Sequence, residues 1–209
     1  MRVVLDSVAF AYGPRRVVDH LSATLDPGRV TALVGPSGSG KSTALAAIGG
    51  FHRPQSGTIT LVDVDGRARP PAPEHVAWVP QSAAVMPRRT VIDNVLVAPL
   101  AAGRDLDTAL RVALRALEQV GLADRATSAT GDLSGGEKQR VAFARALASM
   151  RPVLLADEPT SSLDAESTAG IAGLLAGLTS ESTVVVATHD PIVIEAADDV
   201  VSLRSGRRA

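Results

Sequence analysis

Lys41 closes a run of small residues, Gly35-Pro36-Ser37-Gly38-Ser39-Gly40, and is followed by Ser42 and Thr43. Glycines let successive backbone N–H groups curl around an anion. A lysine at the end of such a loop sets a positive charge against the β- and γ-phosphates of a nucleoside triphosphate, and the Ser42 hydroxyl is placed to ligate Mg²⁺. The flanks agree. Val30-Thr31-Ala32-Leu33-Val34 reads as a strand of a sheet buried on both faces. Thr43-Ala44-Leu45-Ala46-Ala47-Ile48 reads as a helix stopped by Gly49-Gly50, and the dipole of that helix adds to the anion site. Kinases, GTPases and ATPases share this loop, so alone it specifies a nucleoside triphosphate and no reaction.

A second group narrows the chemistry. Val153-Leu154-Leu155-Ala156 runs into Asp157-Glu158. A buried carboxylate without a partner is expensive, and a cation at the strand end removes that cost. Asp157 is therefore a candidate outer ligand of the Mg²⁺ held by Ser42. Strand alternation points Glu158 the other way, where it can orient or deprotonate an attacking water. Without the phosphate loop, the same residues would read as a strand entering an acidic surface loop.

Leu133-Ser134-Gly135-Gly136-Glu137 opens a helix. Ser134 and Glu137 have capping-box spacing, which accounts for both without any ligand. It leaves the two glycines unexplained: in a first helical turn they cost stability and bare backbone N–H groups, as a second anion site requires. Lys138 and Arg140 follow, either as added positive charge or as part of a solvated face.

The order of these motifs, a phosphate loop, then Leu-Ser-Gly-Gly-Glu, then Leu-Leu-Ala-Asp-Glu-Pro, resembles the ATP-binding-cassette (ABC) ATPases, and the likeness runs from Tyr12 to His189. It implies the P-loop NTPase fold of that family: an α/β structure with a mostly parallel core sheet, an N-terminal antiparallel β layer and an inserted helical subdomain. The implied division is a core of residues 1–82 and 151–209 with helices over about 83–150, all within one ATPase domain.

The resemblance also implies residue roles. Tyr12 matches the aromatic that stacks on adenine. Gln81, in Val79-Pro80-Gln81, matches the glutamine that contacts Mg²⁺ and senses the membrane partner. Ser161-Ser162-Leu163-Asp164 matches a loop that crosses a dimer interface, and His189 matches a histidine that contacts the γ-phosphate. Two chains pair head-to-tail in such proteins, with Ser134, Gly135, Gly136 and Glu137 of one capping the ATP held by Lys41 of the other. The implied activity is ATP hydrolysis, with Glu158, His189 and Lys41 as catalytic residues and with ATP and Mg²⁺ as substrate and cofactor.

The implied partners are a second copy of the chain and integral membrane permease subunits, at the cytoplasmic face of the membrane. Residues 83–87, apolar and just after Gln81, are the candidate docking surface. Ile48-Gly49-Gly50, Met86-Pro87 and Ala187-Thr188-His189-Asp190-Pro191 resemble the lipoprotein-release, macrolide-export and cell-division group, which implies export or the transmission of force to a membrane complex. Ala129-Thr130-Gly131-Asp132 departs from the proline-containing lead-in of close relatives, a departure that touches the membrane contact and not the ATPase chemistry.

Composition agrees with these readings. The chain has 209 residues, 45% hydrophobic, with 21 Lys+Arg against 22 Asp+Glu and a net charge of −1. It can bury a sizeable core, and it lacks the basic excess of a nucleic-acid binder. With no cysteine there is no disulfide framework and no thiolate nucleophile. His20, His52, His75 and His189 lack metal-site spacing. No apolar run approaches the ~20 residues that span a bilayer, and an acid at Asp6 comes too early for a signal peptide. The chain is thus expected to be cytoplasmic.

The elements that position the motifs are also legible. Val4, Val8 and Phe10 alternate loosely as a first strand, and residues 17–25 form a second. Strands follow at 58–62, 76–79, 153–156, 184–187 and 200–203. Helical patterns cover 109–120 and 135–148 within a helical stretch from about Val91 to Met150. The Pro-rich 67–73 stretch reads as a surface loop. Phe10, Phe51, Trp78 and Phe143 are expected in the core.

Overall fold

The computed structural model describes residues 1–12, 15–178 and 182–203, without the side chains of residues 12, 15 and 16. Among the described residues, nine strands lie in chain order as β1 (Arg2–Tyr12), β2 (Arg15–Leu25), β3 (Val30–Val34), β4 (Ser56–Val62), β5 (Ala68–Arg69), β6 (Val76–Val79), β7 (Val153–Asp157), β8 (Thr183–Thr188) and β9 (Asp199–Ser202). The helices are α1 (Lys41–Ile48), α2 (Val91–Ala101), α3 (Leu106–Gln119), α4 (Gly135–Ala148), α5 (Ala165–Ala176) and α6 (Pro191–Glu195).

Five strands form a parallel sheet in the order β6-β7-β8-β3-β9. Its central strands β7, β8 and β3 are buried on both faces because both faces are covered, whereas the edge strand β9 is largely exposed. Along β7 and β8, Leu154, Ala156, Val184 and Val186 join a core with residues of α2, α3, α4 and α5. Their alternates Val153, Leu155, Val185 and Ala187 join a second core with α1 and the antiparallel strands. That second layer is a four-stranded sheet in the order β2-β1-β4-β5. The α/β architecture is therefore the expected one, with helices α2–α4 inserted between β6 and β7.

Four local readings differ. In β1 the residues turned inward are Val3 and Leu5, then Val8 and Phe10, while Val4 is only half-buried. The pairing shifts between Leu5 and Val8, where Ser7 has φ 50°, so a bulge reverses the parity of the strand. The 67–73 stretch is not wholly loop: Ala68 and Arg69 pair with Val62 and Leu61 as an edge strand. Helix α1 starts at Lys41, two residues before the helical pattern became legible. Phe51 is not in the core. It is 60% exposed, with its ring edge-on to Trp78 at a centroid distance of 5.9 Å. The helix before it ends at Gly49-Gly50, which turns the chain outward, whereas Phe10 and Phe143 are fully buried.

Candidate active site

The motif residues follow the carboxyl ends of four adjacent parallel strands, which is where open α/β sheets bind ligands. Gln81 follows β6, Asp157 ends β7 with Glu158 just after it, His189 follows β8, and the loop from Gly35 to Lys41 follows β3. Strand order alone thus gathers side chains that are far apart in sequence. A cavity of about 500 Å³ there is lined by Val17, Ser37, Gly38, Gly40, Lys41, Ser42 and Thr43 together with Gln81, Glu158, Ser161 and His189; Asp157 does not line it.

Local sequence shapes the loop. Gly40 has φ +94°, and a β-carbon there would lie 2.6 Å from Val18 Cγ2, so only glycine fits between β2 and α1. No side chain caps α1 and its first turn holds no acid, so its terminal N–H groups are left for an anion. Lys41 is drawn inward, its side chain 8% exposed, with Nζ donating to the Gly35 carbonyl at 2.8 Å.

Lys41 Nζ also lies 3.1 Å from Glu158 Oε1, and Glu158 Oε2 lies 2.8 Å from His189 Nδ1. Glu158 is not, as strand alternation suggested, the next residue of the strand. β7 ends at Asp157, and Glu158 has φ 44° with its N–H bonded to the Ala187 carbonyl at 2.8 Å. A left-handed non-glycine residue is strained, and such strain gathers at functional sites. The turn sends the two acids to different partners: Asp157 Oδ1 accepts from Ser42 Oγ at 3.0 Å. Burial pushes the Asp157 carboxyl up, and the neighbouring Glu158 charge adds to that, against the Ser42 hydrogen bond and the Lys41 charge. A half-buried carboxylate whose bonded partner is a hydroxyl is a hard-oxygen pair suited to Mg²⁺. Gln81 stands apart from that pair, its Nε2 donating to Ser161 Oγ at 3.0 Å.

The Leu133–Glu137 segment lies elsewhere. Ser134, Gly135, Gly136, Glu137 and Asp164 do not line the cavity. The capping box is complete, with Glu137 N–H donating to Ser134 Oγ and Ser134 N–H donating to Glu137 Oε2 at 2.8 Å. One glycine now has a second cause. A β-carbon on Gly136 would lie 2.5 Å from Ser167 Oγ, so Gly136 lets α4 pack against α5; Gly135 is exposed. Asp164 caps α5 by accepting from Ser167 N–H at 2.8 Å. Lys138 donates to the Gly131 carbonyl at 3.1 Å, a bond that ties the lead-in of the motif to α4.

In the 83–87 segment, Ala83 and Val85 pack against the core, leaving Ala84, Met86 and Pro87 exposed. Pro36 is exposed at the loop tip and Ser39 is buried beneath it. Tyr12 ends β1, and the adenine contact expected of its side chain lies outside the described residues. Val17 was invisible in the sequence, because one apolar residue in an apolar strand carries no signal of the cavity it borders.

Comparison with known proteins agrees with this geometry. The family model described as "ABC transporter" matches residues 18–161. The chain belongs to the ABC transporter family. It is 40% identical over 208 residues to the putative 2-aminoethylphosphonate import ATP-binding protein PhnT of Salmonella paratyphi A, covering 98% of this chain and 56% of that protein. The chain thus spans little more than half the length of that relative. It is also 40% identical to the uncharacterized ABC transporter ATP-binding protein YvrO of Bacillus subtilis, covering 91% of this chain and 86% of YvrO. Among solved structures, the dimeric post-hydrolysis ATP-binding cassette MJ0796, bound to ADP and Pi, has a TM-score of 0.77 and 30% identity, covering 99% of both chains. Among the described residues no helix is long and apolar enough to cross a membrane.

Proposed function

We propose that this chain is the energy-supplying subunit of a transporter, binding and hydrolysing ATP between two of its own copies beside separate membrane permease subunits. The observation that carries the reading is the Glu158 carboxylate, held between Lys41 Nζ at 3.1 Å and His189 Nδ1 at 2.8 Å at the edge of the phosphate cavity. Lys41 and the α1 N-terminus bind the phosphates. Glu158 takes a proton from water, and His189 orients the carboxylate and reaches towards the γ-phosphate. Ser42 and Asp157 would hold Mg²⁺ with Gln81 swung in from Ser161, and the ion would neutralise phosphate charge.

Ser134, Gly135, Gly136 and Glu137 would cap the nucleotide of the partner copy, consistent with their position away from the chain's own cavity. Asp164 and its loop would lie along the same interface. The dimeric MJ0796 cassette, which matches over 99% of both chains, supports that arrangement. Tyr12 is proposed as the adenine platform. The cytoplasmic membrane surface is the proposed location.

The sequence features shared with the export and force-transmitting group support that type of transporter, while the import name of PhnT weighs against it. Purification of the intact complex from native membranes tests the whole reading. A permease partner is expected. A partner of four spans with a large extracellular domain supports the force-transmitting type, a six-span permease overturns that type, and recovery without any membrane protein overturns the transporter reading.

A further inference from the structure

The chain leaves the parallel sheet at Val79 and re-enters helix at Val91, and the intervening backbone is held at defined points. Gln139, 3% exposed on α4, donates Nε2 to the Pro80 carbonyl at 3.2 Å. Arg145, two turns further along the same helix, donates Nη2 to the Ala83 carbonyl at 3.3 Å and Nη1 to the Ala84 carbonyl at 3.1 Å. Asn94, fully buried on α2, accepts from Met86 N–H at 2.7 Å and donates to the Met86 carbonyl at 3.2 Å and to Thr130 Oγ1 at 2.9 Å. The only side chain in this stretch that reaches the phosphate cavity is Gln81.

Arg145 is a costly way to hold a loop in place. Burial lowers its affinity for its proton, and among the described residues no carboxylate forms an ion pair with it. A methionine of similar volume could fill the site without desolvating a cation. What the guanidinium adds is a planar fork that fixes two acceptors at once. Those two acceptors flank a strained residue: Ala84 has φ 45°, a conformation that persists only where its surroundings over-determine it.

We infer that Arg145, with Gln139 beside it, is a positioning residue that locks the segment carrying Gln81 to the helix that begins at Gly135. The anchor holds Gln81 at the edge of the phosphate cavity, where its Nε2 donates to Ser161 Oγ. This inference rests on the proposed role of Gln81 in the ATP site.

The test uses the full chain, with Arg145→Met, Arg145→Lys and Gln81→Ala, in three measurements: amide exchange without nucleotide, ATP binding, and steady-state hydrolysis. Arg145→Met is expected to raise exchange at residues 81–86 and not elsewhere. It should leave the ATP dissociation constant within about twofold and lower kcat about tenfold, matching Gln81→Ala. Arg145→Lys, which keeps the charge but not the fork, should fall between. Unchanged exchange at 81–86 overturns the inference, as does raised exchange with normal kcat. Exchange raised throughout the chain together with lost ATP affinity shows a merely structural residue and overturns it too. If Arg145→Met does not fold, Arg145→Lys and Gln139→Met face the same criteria. The exchange result reports the anchor whether or not Gln81 acts in hydrolysis. A normal kcat in Gln81→Ala overturns the role of Gln81, and the positioning role with it.

Discussion

Lys41 Nζ sits 3.1 Å from Glu158 Oε1, so the cation that should grip phosphate is paired with the carboxylate that should activate water. Both side chains are largely buried, at 8% and 16% exposed, and removing one partner of such a pair leaves the other uncompensated. On the proposed mechanism, ATP binding exchanges this pair for a Lys41–phosphate contact and leaves Glu158 to His189 and water. The pair keeps both buried charges satisfied.

Glu158→Gln should therefore bind ATP, hydrolyse it about 10²- to 10⁴-fold more slowly, and accumulate as an ATP-dependent dimer. Single-turnover kinetics with light scattering checks both parts. Near-normal turnover in this variant would falsify the assignment of Glu158 as base.

Lys41→Ala should fail at an earlier step. Losing a charge-assisted contact is worth about 1.5–3 kcal/mol, or roughly 10- to 150-fold in the ATP dissociation constant. Titration calorimetry in the absence of turnover reads this directly. An unchanged affinity would remove Lys41 from the phosphate site.

Asp157 carries a stability penalty that its replacement should relieve. Its folded-state pKa is raised by burial, so above that pKa the ionised carboxylate destabilises the native state, and the penalty fades as pH falls through it. Asp157→Asn should melt higher than the parent at pH 7 without nucleotide, with each kcal/mol appearing as about 2–4 °C at this size. The gain should shrink on acidification. The same variant should lose the Mg²⁺-dependent part of ATP affinity. A lower melting point combined with intact Mg²⁺ dependence would contradict both roles.

Gly136→Ala should destabilise the fold although alanine is the better helix former. Its β-carbon would meet Ser167 Oγ at 2.5 Å, and overpacking of this kind costs about 1–3 kcal/mol. Pairing it with Ser167→Gly opens the facing position and should recover part of the loss. A double-mutant cycle by denaturant unfolding measures the coupling; additive effects would show that the α4–α5 contact does not select glycine.

Glu137 offers a pH test of the α4 cap. The Ser134 N–H holds its carboxyl below the usual carboxylate range, so its contribution is present above the unfolded-state pKa and is lost as pH falls through the folded one. Glu137→Gln should cost less than about 1 kcal/mol near neutrality, as expected of a half-buried charge that solvent still screens. The two proteins should converge in acid. A difference independent of pH would assign the effect to packing instead.

How much of this was legible follows from how local each cause is. The phosphate loop, the acidic strand end and the Ser134–Glu137 cap announce themselves in short runs because glycine conformation, capping and strand burial are decided within a few residues. Their order along the chain was enough to indicate the family. The residues themselves marked Lys41, Ser42, Asp157 and Glu158 as a chemical set, and the family resemblance added His189.

Only the tertiary structure decided how that set meets. The β6-β7-β8-β3 order brings four strand ends side by side, and the left-handed turn at Glu158 separates it from Asp157. Neither is encoded in a local pattern. The same holds for Gly136, whose neighbour Ser167 lies on another helix, and for Phe51, an aromatic expected in the core that the end of α1 turned outward. It holds most for Arg145, an unremarkable arginine in a helix of mixed residues until the fold sets its guanidinium across the carbonyls of Ala83 and Ala84. Sequence fixes what each short segment prefers. Contacts between distant segments exist only once the sheet order is chosen, because burial of both its faces is satisfied by the whole chain at once.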